Sequence, residues 1–231
     1  MEHRSARALL GGVVDYAGLF PPAGLAMADA VRAYATALAG PEAWMLGRFV
    51  VPATRLDELA AVRANGPVDG PAWRLSAIVR DGSSDDAAAV ARFNDEATRH
   101  GAIVDSVEAK PATLAGVDWL AEIFGAAFEV YVELAPGPDV DAWLARLKAR
   151  GLRAKVRTGG LTAEAFPAPE ALAAFLAAAV RAGVPFKATA GLHHAVRGRY
   201  RLTYEPESAS APMYGYLNVL LATAALGDGR P

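Results

Sequence analysis

Two lysines in short, strand-like runs carry the clearest chemical signal in this chain. Lys155 stands in LRAKVRTGG (152–160) and Lys187 in VPFKATAG (184–191). Lysine is scarce here: of 23 Lys+Arg, only Lys110, Lys148, Lys155 and Lys187 are lysine. An amine can lose its proton when desolvated and then attack a carbonyl, whereas a guanidinium stays charged. Core-facing lysine is rare unless it is paired or used. The competing reading is a buried ion network in which carboxylates neutralise both amines.

Strand alternation sorts the neighbouring polar residues by face. Lys155 shares a face with Arg157, and Lys187 with Thr189. Ser106, Glu108 and Lys110 share one, as do Tyr131 and Glu133, while Asp105 is expected to face away from Glu108. Glu108 and Glu133 suit proton transfer next to an imine or carbonyl; neutralising the lysines is the equal alternative. Asp15, Arg157, Thr158, Thr189, His193 and His194 sit at strand ends, where they would bind substrate. A second cation beside a desolvated amine favours its neutral form, and Lys187 and Arg157 fit that recipe. His193 and His194 with Glu108 or Glu133 could hold Zn or Mn. Adjacent histidines rarely both ligate, however, and no His-x-His or His-Glu-x-x-His spacing occurs, so no metal and no cofactor is expected. Arg197, Arg199 and Arg201 alternate along one extended stretch and suit either a carboxylate or phosphate clamp or a solvated basic loop.

These residues are positioned by a unit of roughly 25–30 residues, one strand plus one helix, that recurs along the chain. Strands are expected near 9–14, 47–52, 73–80, 102–110, 128–134, 152–158 and 184–189. Helices are expected near 27–39, 55–65, 84–100, 112–124, 139–150 and 168–182. Pro21-Pro22 keeps the first loop out of a helix, Ser83 to Asp85 offer caps, Gly151 and Gly183 stop helices, and 65–71 (NGPVDGP) reads as a loop. The strands read as continuously apolar, as in a parallel sheet covered on both faces. Seven clear strand–helix units with an irregular eighth strand at 200–204 and a final apolar helix at 211–227 indicate a TIM-type (β/α) barrel as one domain over 1–231. An open doubly wound sheet is the runner-up, but its glycine-rich dinucleotide fingerprint is absent. In a barrel the strand C-termini form the active mouth.

Composition bounds the partners. A net charge of −2 argues against nucleic acid or an anionic membrane surface as the main partner. No uninterrupted apolar run approaches the ~18 residues that cross a bilayer, and the start shows no secretion signal. Zero cysteines exclude disulfides and a thiolate nucleophile. The expectation is a cytoplasmic protein with a small-molecule substrate, and with self-association through the last apolar helix.

K-V-R-T-G-G at 155–160 followed by F-K-A-T-A-G at 186–191 resembles the paired lysine motifs of class I, Schiff-base aldolases, and most nearly the deoxyribose-phosphate aldolase family. The resemblance implies an imine at Lys155, tuning by Lys187 and, through V-D-S-V at 104–107, a proton relay at Asp105. It covers about 50 residues in three pieces. A-G-L-H-H at 190–194 departs from the family's glycine pair near substrate phosphate, and Arg157 is foreign to the first motif. The function expected is an aldolase-like lyase or isomerase acting on a small oxygenated carbonyl compound. Metal-assisted enolisation or hydrolysis at a Glu/His site, and a non-catalytic barrel that binds a small anion, are the alternatives.

Overall fold

Helix ends in this chain are fixed by short-range chemistry. Ser83 Oγ accepts the Asp86 amide, and Thr113 Oγ1 the Gly116 amide, each satisfying an orphan donor at a helix start. Gly183 closes its helix in the left-handed region, which disfavours any side chain. The computed structural model describes residues 4–65 and 71–229; the loop expected at 65–71 lies almost wholly outside them.

Seven parallel strands alternate with helices, and the chain divides into two compact units, Met1–Glu108 and Ala109–Pro231. The first holds α1 (Arg4–Leu10), β1 (Val14–Tyr16), α2 (Met27–Leu38), β2 (Leu46–Pro52), α3 (Leu56–Ala64), β3 (Trp73–Ile78), α4 (Ser84–Asp95), α5 (Ala97–His100) and β4 (Ala102–Ala109), whose last residue lies past the division. Its strands pair in parallel in the sequence order β1-β2-β3-β4. Tyr16, Tyr34, Phe49 and Trp73 form an aromatic cluster with ring centroids 4.7–6.2 Å apart. Arg63 stacks 3.8 Å from the Trp73 ring and donates to the carbonyls of His100 and Gly101 at the end of α5.

The second unit holds α6 (Leu114–Phe124), β5 (Glu129–Leu134), α7 (Val140–Arg150), β6 (Arg153–Arg157), α8 (Pro169–Ala182), β7 (Phe186–Thr189), β8 (Gly198–Arg201), β9 (Ser210–Met213) and α9 (Tyr216–Gly227). β5, β6 and β7 again pair in parallel and in order. Val130, Val132, Leu134, Ala154 and Val156 are buried with Val117, Leu120, Leu144, Leu147, Leu172 and Phe175 of the helices. Phe186 meets Phe175 edge-on at 5.8 Å, which fixes the helix-covered face of β7.

Several expectations change. Residues 9–10 end a helix, so the first strand is only Val14–Tyr16. The strands of the second unit are not continuously apolar: Glu129, Tyr131, Glu133, Arg153, Lys155, Arg157, Lys187 and Thr189 alternate with the buried apolar set. An eighth parallel strand does not form at 200–204. Residues 198–201 instead pair antiparallel with 210–213, a hairpin that also shortens the last helix to Tyr216–Gly227. By length and composition Ala163–Ala182 would span a bilayer, which counting uninterrupted apolar runs misses. Its helical part, α8, buries a stripe of Leu172, Phe175, Leu176 and Ala179 between α7 and α9, as a core helix does.

Candidate functional site

Three strands of the second unit place Glu133, Lys155 and Lys187 in one row. Glu133 is the register partner of Lys155, and Lys155 of Lys187. Parallel neighbours in register point to the same side, so all three lie on the face turned away from the helices. Lys155 is only 7% exposed, and its Nζ lies 3.0 Å from Glu133 Oε2. Lys110, exposed at the edge, approaches the other oxygen of Glu133 at 3.5 Å. Lys187 leans toward the strand N-termini, with its Nζ 4.4 Å from the centre of the Tyr131 ring. Tyr131 is register partner to Arg153, which pairs with Glu129 at 3.1 Å. Burial raises the Tyr131 phenol pKa, while Arg153 opposes that shift.

One step nearer the strand C-termini stand Arg157 and Thr189, themselves register partners. Arg157 is exposed. Thr158 is fully buried: its amide donates to the Thr189 carbonyl at 2.8 Å and its hydroxyl to the Ala190 carbonyl at 2.6 Å. Ala190 is held at a φ of 64°, unfavourable for a residue with a Cβ. A Cβ on Gly191 would meet the Phe166 ring at 2.9 Å and the Gly159 backbone at 3.0 Å. The glycines of T-G-G and A-G therefore let two loops press together under Phe166.

In the first unit an extra residue enters β4 opposite Leu75 and Ser76, so the β3–β4 register shifts there. Asp105 consequently shares a face with Glu108, contrary to the expectation from a regular strand. Arg48 and Arg74 each bind Asp105 at 2.5 Å. Glu108 is buried and accepts the Ser76 hydroxyl at 2.8 Å, with Ser106 Oγ 3.2 Å from Ser76 Oγ. Asp15 accepts the Arg48 amide at 2.8 Å; β1 pairs along Leu46–Phe49, the N-terminal half of β2, so Asp15 stands away from the strand C-termini.

No family model, curated protein or solved structure matches the chain. The site is therefore read from its own geometry.

His194 stacks on Tyr200 with ring centroids 3.4 Å apart, and bridges to Gly215 at the base of the hairpin. The His193 side chain is exposed at its surface, yet desolvation by the atoms packed around it, and then the charge of His194, lowers its pKa. Among the described residues no group of three or more His, Asp or Glu side chains is arranged to hold a metal ion. A cleft of about 220 Å³ lies between the start of α8 and the hairpin, lined by Phe166, Pro167, Arg197 and Tyr214, and neither Lys155 nor Lys187 lines it. Arg197 of the alternating arginines thus borders a cleft, whereas Arg199 and Arg201 are exposed on β8.

Tyr131 and Lys110 do not stand out in the sequence as site residues. The signal was there in the two-residue alternation of β5 and in the short step from β4, yet only pairing shows that one ring carries Lys187 and one carboxylate meets two amines. A buried amine 3.0 Å from a carboxylate has a proton acceptor in reach, which is the minimum a nucleophilic lysine requires.

Proposed function

We propose that this chain is an aldolase-like carbon–carbon lyase acting on a small oxygenated carbonyl compound, on a frame of the TIM-barrel type. The observation that carries the reading is the row Glu133–Lys155–Lys187, with Lys155 buried and 3.0 Å from Glu133. Glu133 takes a proton from the Lys155 ammonium, and the freed lone pair attacks the carbonyl carbon. The carbonyl oxygen, protonated in turn, leaves as water, and a C=N bond replaces C=O. The iminium then accepts the electron pair of the neighbouring carbon–carbon bond as it breaks, while the hydroxyl on the far carbon loses its proton and becomes a carbonyl. Lys187, the register partner of Lys155, brings a second positive charge to the same face, beside the amine that must lose its proton. The enamine left on the lysine takes a proton at its carbon and becomes an iminium again, and water returns that iminium to free lysine and product.

Borohydride reduction in the presence of small aldehydes and 2-oxo acids tests this reading. A reduced adduct mapped by mass spectrometry to Lys155, and lost in K155M, is the expected result. An adduct spread over surface lysines, or equally abundant in K155M, rejects it.

A further inference from the structure

We infer that Arg157 selects the substrate class, and that the carbonyl compound is a 2-oxo acid whose carboxylate docks on this guanidinium. The inference rests on the imine reading of Lys155 and adds to it the chemistry of the group beside the reacting carbon.

The cations around Arg157 are already engaged. Lys155 and Lys110 share Glu133, Arg153 holds Glu129, and Lys187 lies over Tyr131. Among the described residues the Arg157 side chain makes no hydrogen bond, ion pair or ring contact, although it lies in the same strand. It is the next residue on the Lys155 face toward the strand C-termini, roughly 6.6 Å away at the usual rise of a strand. Within the second unit this face and its edge carry five cations, Lys110, Arg153, Lys155, Arg157 and Lys187, against two carboxylates, Glu129 and Glu133. An incoming anion meets the exposed Arg157 first, at the end of this row nearest the strand C-termini.

The form of the anion follows from geometry. In a 2-oxo acid the carboxylate is bonded directly to the carbon that becomes the imine, so the two groups need neighbouring same-face positions. Arginine offers a planar fork that grips both carboxylate oxygens, which lysine cannot reproduce. Thr189, register partner of Arg157, places a hydroxyl on the same level. A phosphate on an aldehyde chain would lie several bonds farther from the carbonyl.

The experiment compares trapping on Lys155 by pyruvate, acetaldehyde and glycolaldehyde phosphate in the wild type, R157Q and R157K. Arg157 is exposed, so these variants should fold. R157Q is expected to raise the half-saturating pyruvate concentration on the order of 10- to 100-fold, the worth of charge-assisted hydrogen bonds. R157K should recover only part of this, and acetaldehyde should shift far less than pyruvate. Equal effects on pyruvate and acetaldehyde, or a larger effect on the phosphate, overturn the inference. Acetaldehyde trapped on Lys155 with pyruvate untouched overturns it while leaving the imine intact. If no probe is trapped on Lys155, the imine reading falls and this inference falls with it.

Discussion

Lys155 was recognisable in the sequence because lysine is so rare in this chain that its place in a strand needed a reason. Its partner was less visible. Glu133 could have matched any neighbouring strand until the register put it opposite Lys155. Asp105 shows the opposite limit: the V-D-S-V motif drew attention to it, but no local pattern announces the extra residue in β4 that turns it toward Arg48 and Arg74. The proton acceptor is the residue whose chemistry is most open to test. An amide at position 133 keeps the shape of the side chain but takes no proton from Lys155. E133Q should slow borohydride trapping on the order of 100-fold, the usual weight of a positioned general base. Single-turnover rates with the best trapped carbonyl compound check this, and a rate within about threefold of wild type would reassign the acceptor.

Among the elements, helices with local stop signals were legible almost to the residue. α3, α6, α7 and α8 begin and end within two residues of expectation; Thr113 caps the start of α6 and left-handed Gly151 and Gly183 close α7 and α8, whereas Arg55 at the start of α3 makes no capping bond. The β8–β9 hairpin was not legible as a pair, since the partner of Gly198–Arg201 lies about a dozen residues on and neither strand is apolar throughout. The two loops after β6 and β7 sit between these cases: their glycines were plain, their mutual contact was not. Thr158 ties them together, for its hydroxyl holds the carbonyl of Ala190 in a conformation that residue would not choose. T158V keeps the volume and removes the hydroxyl, leaving that carbonyl without its buried donor. Urea unfolding should show a loss of about 1–3 kcal/mol, with T158S largely retained. An unchanged midpoint in T158V would mean that the loops hold without this bond.

For the molecule as a whole, the α/β class and the sequence order of parallel strands could be read from the repeating strand–helix unit, while the division at Glu108 and the register that lines the same-face polar residues of the second unit into one row could not. Stability against pH is a property of this scale, and the fully buried His100 acts in its upper acidic range. His100 is fully buried, stacked on Phe93 at 4.0 Å, and its Nε2 lies 3.0 Å from the Phe93 carbonyl, which can only accept. The imidazole is therefore the neutral Nε2–H tautomer, and its Nδ1 has no hydrogen-bond partner among the described residues. Protonation would add a donor there with nothing to receive it. Burial lowers the His100 pKa from its usual 6.5, and Arg63 and Arg99 reinforce burial, against opposing effects of the Phe93 carbonyl and Glu96. The unfolded chain then binds more protons than the folded one as soon as pH falls below about 6.5. The contribution of His100 should be constant above that value and decline below it, with a slope from this group approaching but not exceeding about 1.4 kcal/mol per pH unit. Asp86 acts in a lower window: Arg80 holds its carboxyl below the usual range, so its contribution is lost only in stronger acid. H100Q cannot titrate. Denaturant midpoints of wild type and H100Q between pH 7.5 and 5 should converge as pH falls, because only the wild type loses stability through this group. Parallel curves would place the pH dependence elsewhere.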